Sequence, residues 1–529
     1  MSRLLPMIRD LRTDPADSPI AADVCIVGAG AAGLTLAVEL SAWARVVVLE
    51  AGGAHPDDSP TSLTRGEVCG LPFEGLEQGR VWSFGGTTTV WGGQCVEIDD
   101  IAFERRPWVP HSGWPFGRRH LEPFYARARQ LLGLPDRVHD RLARRFERRR
   151  PSFDERQLDC RISAVAPGLD VGLRYRDALA SSGRVQVLLH AHVCEIGVNG
   201  SCSAVSAVDV RTLEGRPARV TAPAVVLCAG GIENARLLLL SNRAEAAGLG
   251  NRHDLVGRFF QEHPTFEIGP LVSTPRRAVR NAFAMLRHGS LRFLPRAHLS
   301  DDIQRREHTT GCVADVAYEH DLNAGLPAVK TLAASIRERR WPRHTAATAW
   351  RIVRDSPSLA VEAYRRLARG IVTAPASSAP RLQVHLEQSP NPTSRVSLSR
   401  ERDALGLNRA RVDWRLTDLD RRTARVMAAT AAVEFARIGV LLDLAEWRRI
   451  DEAAWPASVL EAYHHMGTTR MADTPANGVV DANCQVHGIS GLFVCGSSVF
   501  PTAGSANPTL TIVALAVRLA DHLRRIRNT

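Results

Sequence analysis

Residues 22 to 33 read ADVCIVGAGAAG, and this stretch decides how the chain is read. Val24 to Val27 is a short apolar run of the kind that forms a strand buried on both faces. Gly28, Gly30 and Gly33 follow at the G-x-G-x-x-G spacing and lead into an apolar helix candidate, LTLAVELSAWA, at 34 to 44. Each glycine has its own reason. The first permits the tight turn, the second lets the backbone approach a pyrophosphate, and the third lets helix and strand pack closely, while the helix N-terminus offers unpaired N–H groups to the anion. A second strand candidate, RVVVLEAGG at 45 to 53, places Glu50 22 residues after Gly28, where a carboxylate can accept hydrogen bonds from the ribose hydroxyls. Strand, glycines, helix, strand and acid together predict a dinucleotide-binding fold. An acid at Glu50 argues against a ribose 2′-phosphate, but FAD and NAD share the device.

Further along, APAVVLCAGGIENARLLLLSN at 222 to 242 has the form of another buried strand, a turn at Gly230 and Gly231, and an apolar helix. The 529 residues, 45% hydrophobic and 23% charged, suffice for a large core divided between two or more lobes. No apolar run approaches the roughly 18 residues of a membrane span, and MSRLLPMIRDLRTDP does not read as a secretory signal, so a cytoplasmic location is the default expectation. Ten scattered cysteines show no C-x-x-C pair and no zinc-like spacing; they are expected to be reduced and structural, with no metal site.

The formal charge of +11 is carried almost wholly by arginine, Lys330 being the one lysine. The densest run, DRLARRFERRRP at 140 to 151, mixes acids with bases and lacks interleaved aromatics, so it reads as a solvated helix face rather than a nucleic-acid platform. At 343 to 370, Arg351, Arg354, Arg365, Arg366 and Arg369 punctuate apolar residues at helical spacing. Such helices can lie on a membrane or a protein partner, but the reading preferred is a helix pair packed over the active-site lobe.

The stretch AYHHMGTTRM at 462 to 471 sets His464 and His465 side by side. A lone histidine is more often structural than catalytic. Together with GRVWSFGGTTTVWGGQC at 79 to 95, AGGIENARLLL at 229 to 239, LEQSPNPTSRVSL at 386 to 398 and the closing block from GVVDANCQVHG to NPTLTIVALAVRLADHL, however, the chain resembles the glucose-methanol-choline oxidoreductases, and within them the sugar-oxidising branch of pyranose oxidases, glycoside 3-oxidases and fructose dehydrogenases.

That resemblance implies an α/β fold, with a Rossmann-like FAD-binding domain and an α+β substrate domain built on an antiparallel sheet. The FAD domain would be assembled from 1–105, 186–270 and 455–529. A cap segment at 106–185 and a substrate domain at 271–454 would fill the intervals, with RLQVHLEQ and SRVSLSR as strands of the latter. It implies His464 and Asn507 as the catalytic pair facing the flavin, with His465 at the variable position and turned away. Gly28, Gly30, Gly33, Glu50, Gly85, Gly86, Thr87, Gly230, Gly496, Ser497, Pro508 and Thr509 would bind the cofactor. Val90 stands where some relatives attach FAD through a histidine, so FAD is expected to be non-covalent. His263 and His487 are read as structural.

The chemistry follows from the residue types. Alcohol oxidation needs an acceptor for the hydroxyl proton, and a neutral imidazole suits that role; an asparagine amide can fix the angle of the substrate oxygen. In ANPTLTIVALAVRLADHL at 506 to 523, Asn507 is expected to cap the last helix with Pro508 in its first turn, the helix N-terminus stabilising negative charge on reduced flavin. The resulting expectation is oxidation of a secondary hydroxyl of a pyranose, glycoside or polyol to a ketone, with O2 or another acceptor completing the cycle. A flavoenzyme acting on a non-sugar alcohol in secondary metabolism is the alternative. A non-catalytic binding protein is the third reading, and it leaves His464 and Asn507 without a purpose.

Overall fold

The computed structural model describes residues 7–14, 19–56, 61–135, 140–166, 168–273, 277–319, 328–329, 332, 345–373, 378–449, 455–456 and 458–528. Lys330 and Arg343 lie outside the described residues.

Val24–Val27 lies inside a six-stranded parallel sheet in the order Ile8–Asp10, Val185–Leu189, Val46–Leu49, Val24–Val27, Ala224–Leu227, Leu492–Val494. Every residue of Val24–Val27, Val46–Leu49 and Leu492–Val494 is buried, which is why these segments are continuously apolar rather than alternating. Helix Ala31–Leu40 follows the glycine loop and packs on the C-terminal helix Thr509–Asn528. The sheet thus joins the front, the middle and the end of the chain, and the ends of its central strands converge on one cleft.

A second layer is antiparallel throughout: a nine-stranded sheet including Leu158–Val165, Thr265–Ser273, Leu291–Leu299, Cys312–Glu319 and Ala379–Leu386. In Ala379–Leu386 buried residues alternate with more open ones, as expected for a sheet covered on one side. Helix Asp418–Arg437 covers it, started by a reciprocal cap in which Thr417 Oγ1 accepts from Asp420 N and Asp420 Oδ2 accepts from Thr417 N.

One expectation needs correction. The strand carrying SRVSLSR, Arg395–Arg402, does not join the large sheet. It pairs with Asn408–Trp414, which pairs in turn with Glu67–Gly70 from near the front of the chain, and it packs against helix Gly230–Leu240. Its turn delivers Asp403 to Arg236, at 2.6 Å, on the cofactor side. Alternation identifies a strand but says nothing about which partner it finds. The helix pair Thr345–Arg354 and Ser356–Ala368 meets the large sheet at its edge strand Ile371–Val372 and leaves apolar residues open, Trp350 being 66% exposed and Leu367 80%. Among the described residues no helix is long and apolar enough to cross a membrane.

Candidate active site

The glycine loop is held by close contacts. Gly28 has φ +104°, and a Cβ there would lie 2.7 Å from the Cys228 carbonyl oxygen. A Cβ on Gly33 would lie 2.0 Å from the Gly28 carbonyl oxygen, so strand and helix can approach only without it. Gly30 is different: its Cβ would stand in open space, 4.0 Å from Gly86 Cα, and the residue lines the cleft. Gly30 is also the N-cap of helix Ala31–Leu40 with no side-chain cap bond, which leaves the first-turn N–H groups for an anion. Gly85, at φ +101°, turns the chain into the short helix Gly86–Thr89 and lies against Asp170 rather than the cleft, while Gly86 and Thr87 line it.

Glu50 is buried, its Oε2 accepting from Ala29 N at 2.8 Å and its Oε1 from Gly52 N at 2.9 Å. Burial outweighs these bonds and pushes its carboxyl up to about 7. Gly230 has φ +87° and lines the cleft. Gly231 matters for another reason: a Cβ there would lie 2.2 Å from the His465 carbonyl oxygen, so it lets the histidine segment lie against helix Gly230–Leu240. Gly496 and Ser497 line the cleft from the end of strand Leu492–Val494, and Ser497 Oγ donates to the His465 carbonyl at 2.6 Å.

At the other end an antiparallel bridge between Gln261 and Met466 brings the 259–264 segment alongside the two histidines. His263 Nε2 lies 2.8 Å from the Gly504 carbonyl oxygen, and its Nδ1 lies 2.8 Å from His464 Nδ1. Burial holds His263 at about 4, so the ring is neutral near pH 7. The carbonyl can only accept; His263 therefore carries its proton on Nε2 and presents a lone pair at Nδ1. His464 must then donate from Nδ1, which leaves its Nε2 as a lone pair. That Nε2 is 3.3 Å from Asn507 Nδ2, in the cleft that both residues line. Burial first, and then the neighbouring His263, hold His464 well below the ordinary histidine value, so it is a neutral base. Beneath the pair Glu262 Oε2 accepts from the backbone N–H of both His263 and His464, and burial pushes that carboxyl up to about 8.

His465 also borders the cleft, with its ring against Phe73 and Phe260. His487 serves the backbone, its Nε2 donating to the Ala472 carbonyl at 3.1 Å. Asn507 departs from expectation. It does not cap the last helix, whose first bond runs from Ile512 N to the Pro508 carbonyl; its amide turns to His464 instead, and its Oδ1 makes no hydrogen bond among the described residues. Pro508 and Thr509 line the cleft at the start of Thr509–Asn528. His263, read as structural, is in direct contact with His464. Sequence reasoning missed it because its neighbour in space lies 201 positions away.

Other residues missed are Ala191, His192 and Val193, Arg80, and the buried chain Glu233–Arg236–Asp403, all lining the same cleft. His192 has no hydrogen-bond partner at either ring nitrogen among the described residues. The cleft encloses about 600 Å³. An uncapped helix start, bare glycine walls, a buried carboxylate and an orphaned imidazole line one long cavity, and they fit a dinucleotide with the His464 pair at its far end. Among the described residues no group of three or more His, Cys, Asp or Glu could hold a metal ion.

Comparison with known proteins bears on that donor set. The family model for the GMC oxidoreductase C-terminal domain matches residues 390–516, and that for FAD dependent oxidoreductases matches 23–247. The chain is 23% identical to the fructose dehydrogenase large subunit of Gluconobacter japonicus, over 82% of this chain and 70% of that one. It is 27% identical to the 2-methyl-1,2-propanediol dehydrogenase of Mycolicibacterium austroafricanum over 95% of both chains. Pyridoxine 4-oxidase from Mesorbium loti shares the fold at a TM-score of 0.58 and 20% identity, over 95% of this chain and 99% of the other. The cleft, the family matches and these relatives agree: the chain carries an FAD dependent oxidoreductase domain and a GMC oxidoreductase C-terminal domain, and is an FAD-dependent oxidoreductase that acts on alcohol groups.

Proposed function

We propose that the protein oxidises a secondary hydroxyl of a pyranose, glycoside or related polyol to a ketone, with His464 as the base and Asn507 as the group that orients the substrate oxygen. The observation that carries this reading is the lone pair at His464 Nε2, fixed by the contacts of its own Nδ1 and facing the cleft beside Asn507. A hydroxyl placed between the two would give its proton to Nε2 while the Asn507 amide donates to its oxygen. Bound FAD supplies the acceptor for the carbinol hydride, at its N5. Gly28, Gly30, Gly86 and the start of helix Ala31–Leu40 would hold the pyrophosphate, and Glu50 the ribose. Pro508 and Thr509, at the start of the last helix, would place its positive dipole end at the flavin. Gly33 and Gly85 shape these turns from behind. Val90 lines the cleft and offers no atom for a covalent tether, so the cofactor is read as non-covalent.

The sugar assignment is supported by the fructose dehydrogenase relative, which spans 82% of the chain. A second reading, a non-sugar alcohol, is favoured by the diol dehydrogenase that matches over 95% of both chains. The test is an anaerobic absorption spectrum of the purified protein titrated with monosaccharides, glycosides and simple diols, then repeated after acid precipitation. Bleaching by a sugar, with flavin released into the supernatant, is expected. Bleaching by diols alone would replace the sugar reading, and flavin that stays with the pellet would overturn non-covalent attachment.

A further inference from the structure

The contact between His263 and His464 carries more than packing. Two neutral imidazoles that meet Nδ1 to Nδ1 need opposite tautomers, one ring protonated at that nitrogen and the other bare. Here the choice is forced from one side, since the Gly504 carbonyl accepts from His263 Nε2–H at 2.8 Å and leaves the His263 Nδ1 lone pair to His464. The rings stand edge to face at 85°, with centroids 5.0 Å apart. If His464 had the other tautomer, two lone pairs would face each other across 2.8 Å in a buried site, and Nε2 would point a proton at the substrate.

We propose that His263 is a positioning residue that holds His464 in the Nδ1–H tautomer and then shares the proton which His464 takes from the substrate hydroxyl. This rests on His464 being the base. The steps balance. The substrate O–H breaks and an N–H forms at His464 Nε2, while the carbinol hydride leaves for the cofactor that the established activity supplies. His464 is then an imidazolium, with its second proton already aimed at the His263 lone pair. Transfer of that proton across 2.8 Å leaves His464 neutral, now protonated on Nε2, and puts the cation on His263, whose Nε2–H stays on Gly504. One buried charge spread over two rings costs less than one confined to His464.

The surroundings are consistent with a proton held only in passing. His464 is faced by His263, His385, His465, Arg296 and Asn507, and His263 by His385, Glu387, Arg296 and the Gly504 carbonyl, with Glu262 bonded to the backbone beneath both. The arginine disfavours a resident cation and Glu387 favours one on His263.

Three measurements on the FAD-loaded full chain test this. In ¹⁵N-histidine NMR of the resting protein at neutral pH, with His464 assigned by difference against His464→Gln, the expected form is Nδ1–H for His464 and Nε2–H for His263. An Nε2–H form of His464 overturns the proposal without any variant of His263. His263→Asn keeps an acceptor for Nδ1–H but cannot take a proton: the tautomer is expected to persist while flavin bleaching slows several-fold. His263→Phe removes both functions, so the tautomer is expected to become mixed and bleaching to slow roughly 10- to 10²-fold at every pH. If both variants match the wild type in tautomer and in rate–pH profile, His263 is only structural. If His263→Phe loses its flavin, the wild-type spectrum and His263→Asn decide. Wild-type bleaching by His464→Gln would instead remove His464 as the base and would count against the proposed function.

Discussion

The two ends of the cleft are built on opposite plans. The glycine end works by the absence of side chains: Gly28, Gly30, Gly86 and Gly230 leave backbone and helix terminus bare to the cavity. The histidine end works by side chains whose protonation is set in a chain from Gly504 through His263 to His464. The first is anchored by one local loop, residues 28 to 33, against which Gly86 and Gly230 are brought. The second joins residues 263, 464, 504 and 507, so it exists only once three segments have packed. The difference teaches that binding and chemistry in this protein should be separable by mutation.

The sharpest break is Gly33→Val. Its Cβ has no room against the Gly28 carbonyl, so the loop and its helix must part, and the variant is expected to purify without flavin absorbance. A Gly33→Val protein with normal flavin content would refute the close-packing account. His464→Ala should do the reverse, keeping flavin while its rate of reduction by substrate falls roughly 10²-fold or more, read by stopped-flow absorbance. Loss of flavin in that variant would show that the two ends are not independent.

Asn507→Asp is a smaller perturbation within the histidine end. A carboxylate beside His464 Nε2 favours the imidazolium, the wrong state for a base, and adds negative charge where the cofactor gains it. Reduction is expected to slow roughly 10-fold at neutral pH, with the acid limb of the rate profile moving to higher pH. An unchanged limb would disconnect Asn507 from His464. The mildest expectation concerns pH in the wild type. Because His464 is held well below the ordinary histidine value, the base is already deprotonated and the rate should stay level as pH falls through about 6.5, being lost only lower. A rate halved near 6.5 would mean that His464 titrates as an open histidine.

Much of this architecture is legible in the sequence. The strand, loop, helix and acid from 22 to 50 form the arrangement expected, with Gly28 and Gly33 in the strained or crowded roles their spacing implies. His464 and Asn507 do meet. The misreadings share a cause. Asn507 has the composition of a helix cap, yet its amide goes to His464, because a polar side chain takes the better buried partner and that partner is distant in sequence. SRVSLSR alternates as a strand should, but the pattern is silent on which sheet it enters. The helix pair beyond residue 344 has a mixed pattern that fits burial or exposure alike; the structure sets it at the edge of the large sheet with Trp350 and Leu367 open.

By itself the sequence determined what is short-ranged: the apolar runs that make a two-sided parallel sheet, the glycines that a tight loop requires, and the presence of a histidine and an asparagine suited to proton removal. Only the tertiary structure decided which nitrogen of His464 carries the proton. That choice depends on a carbonyl at 504 reached through a ring at 263, and hydrogen bonds of 2.8 Å between residues some 200 positions apart leave no trace in spacing or composition.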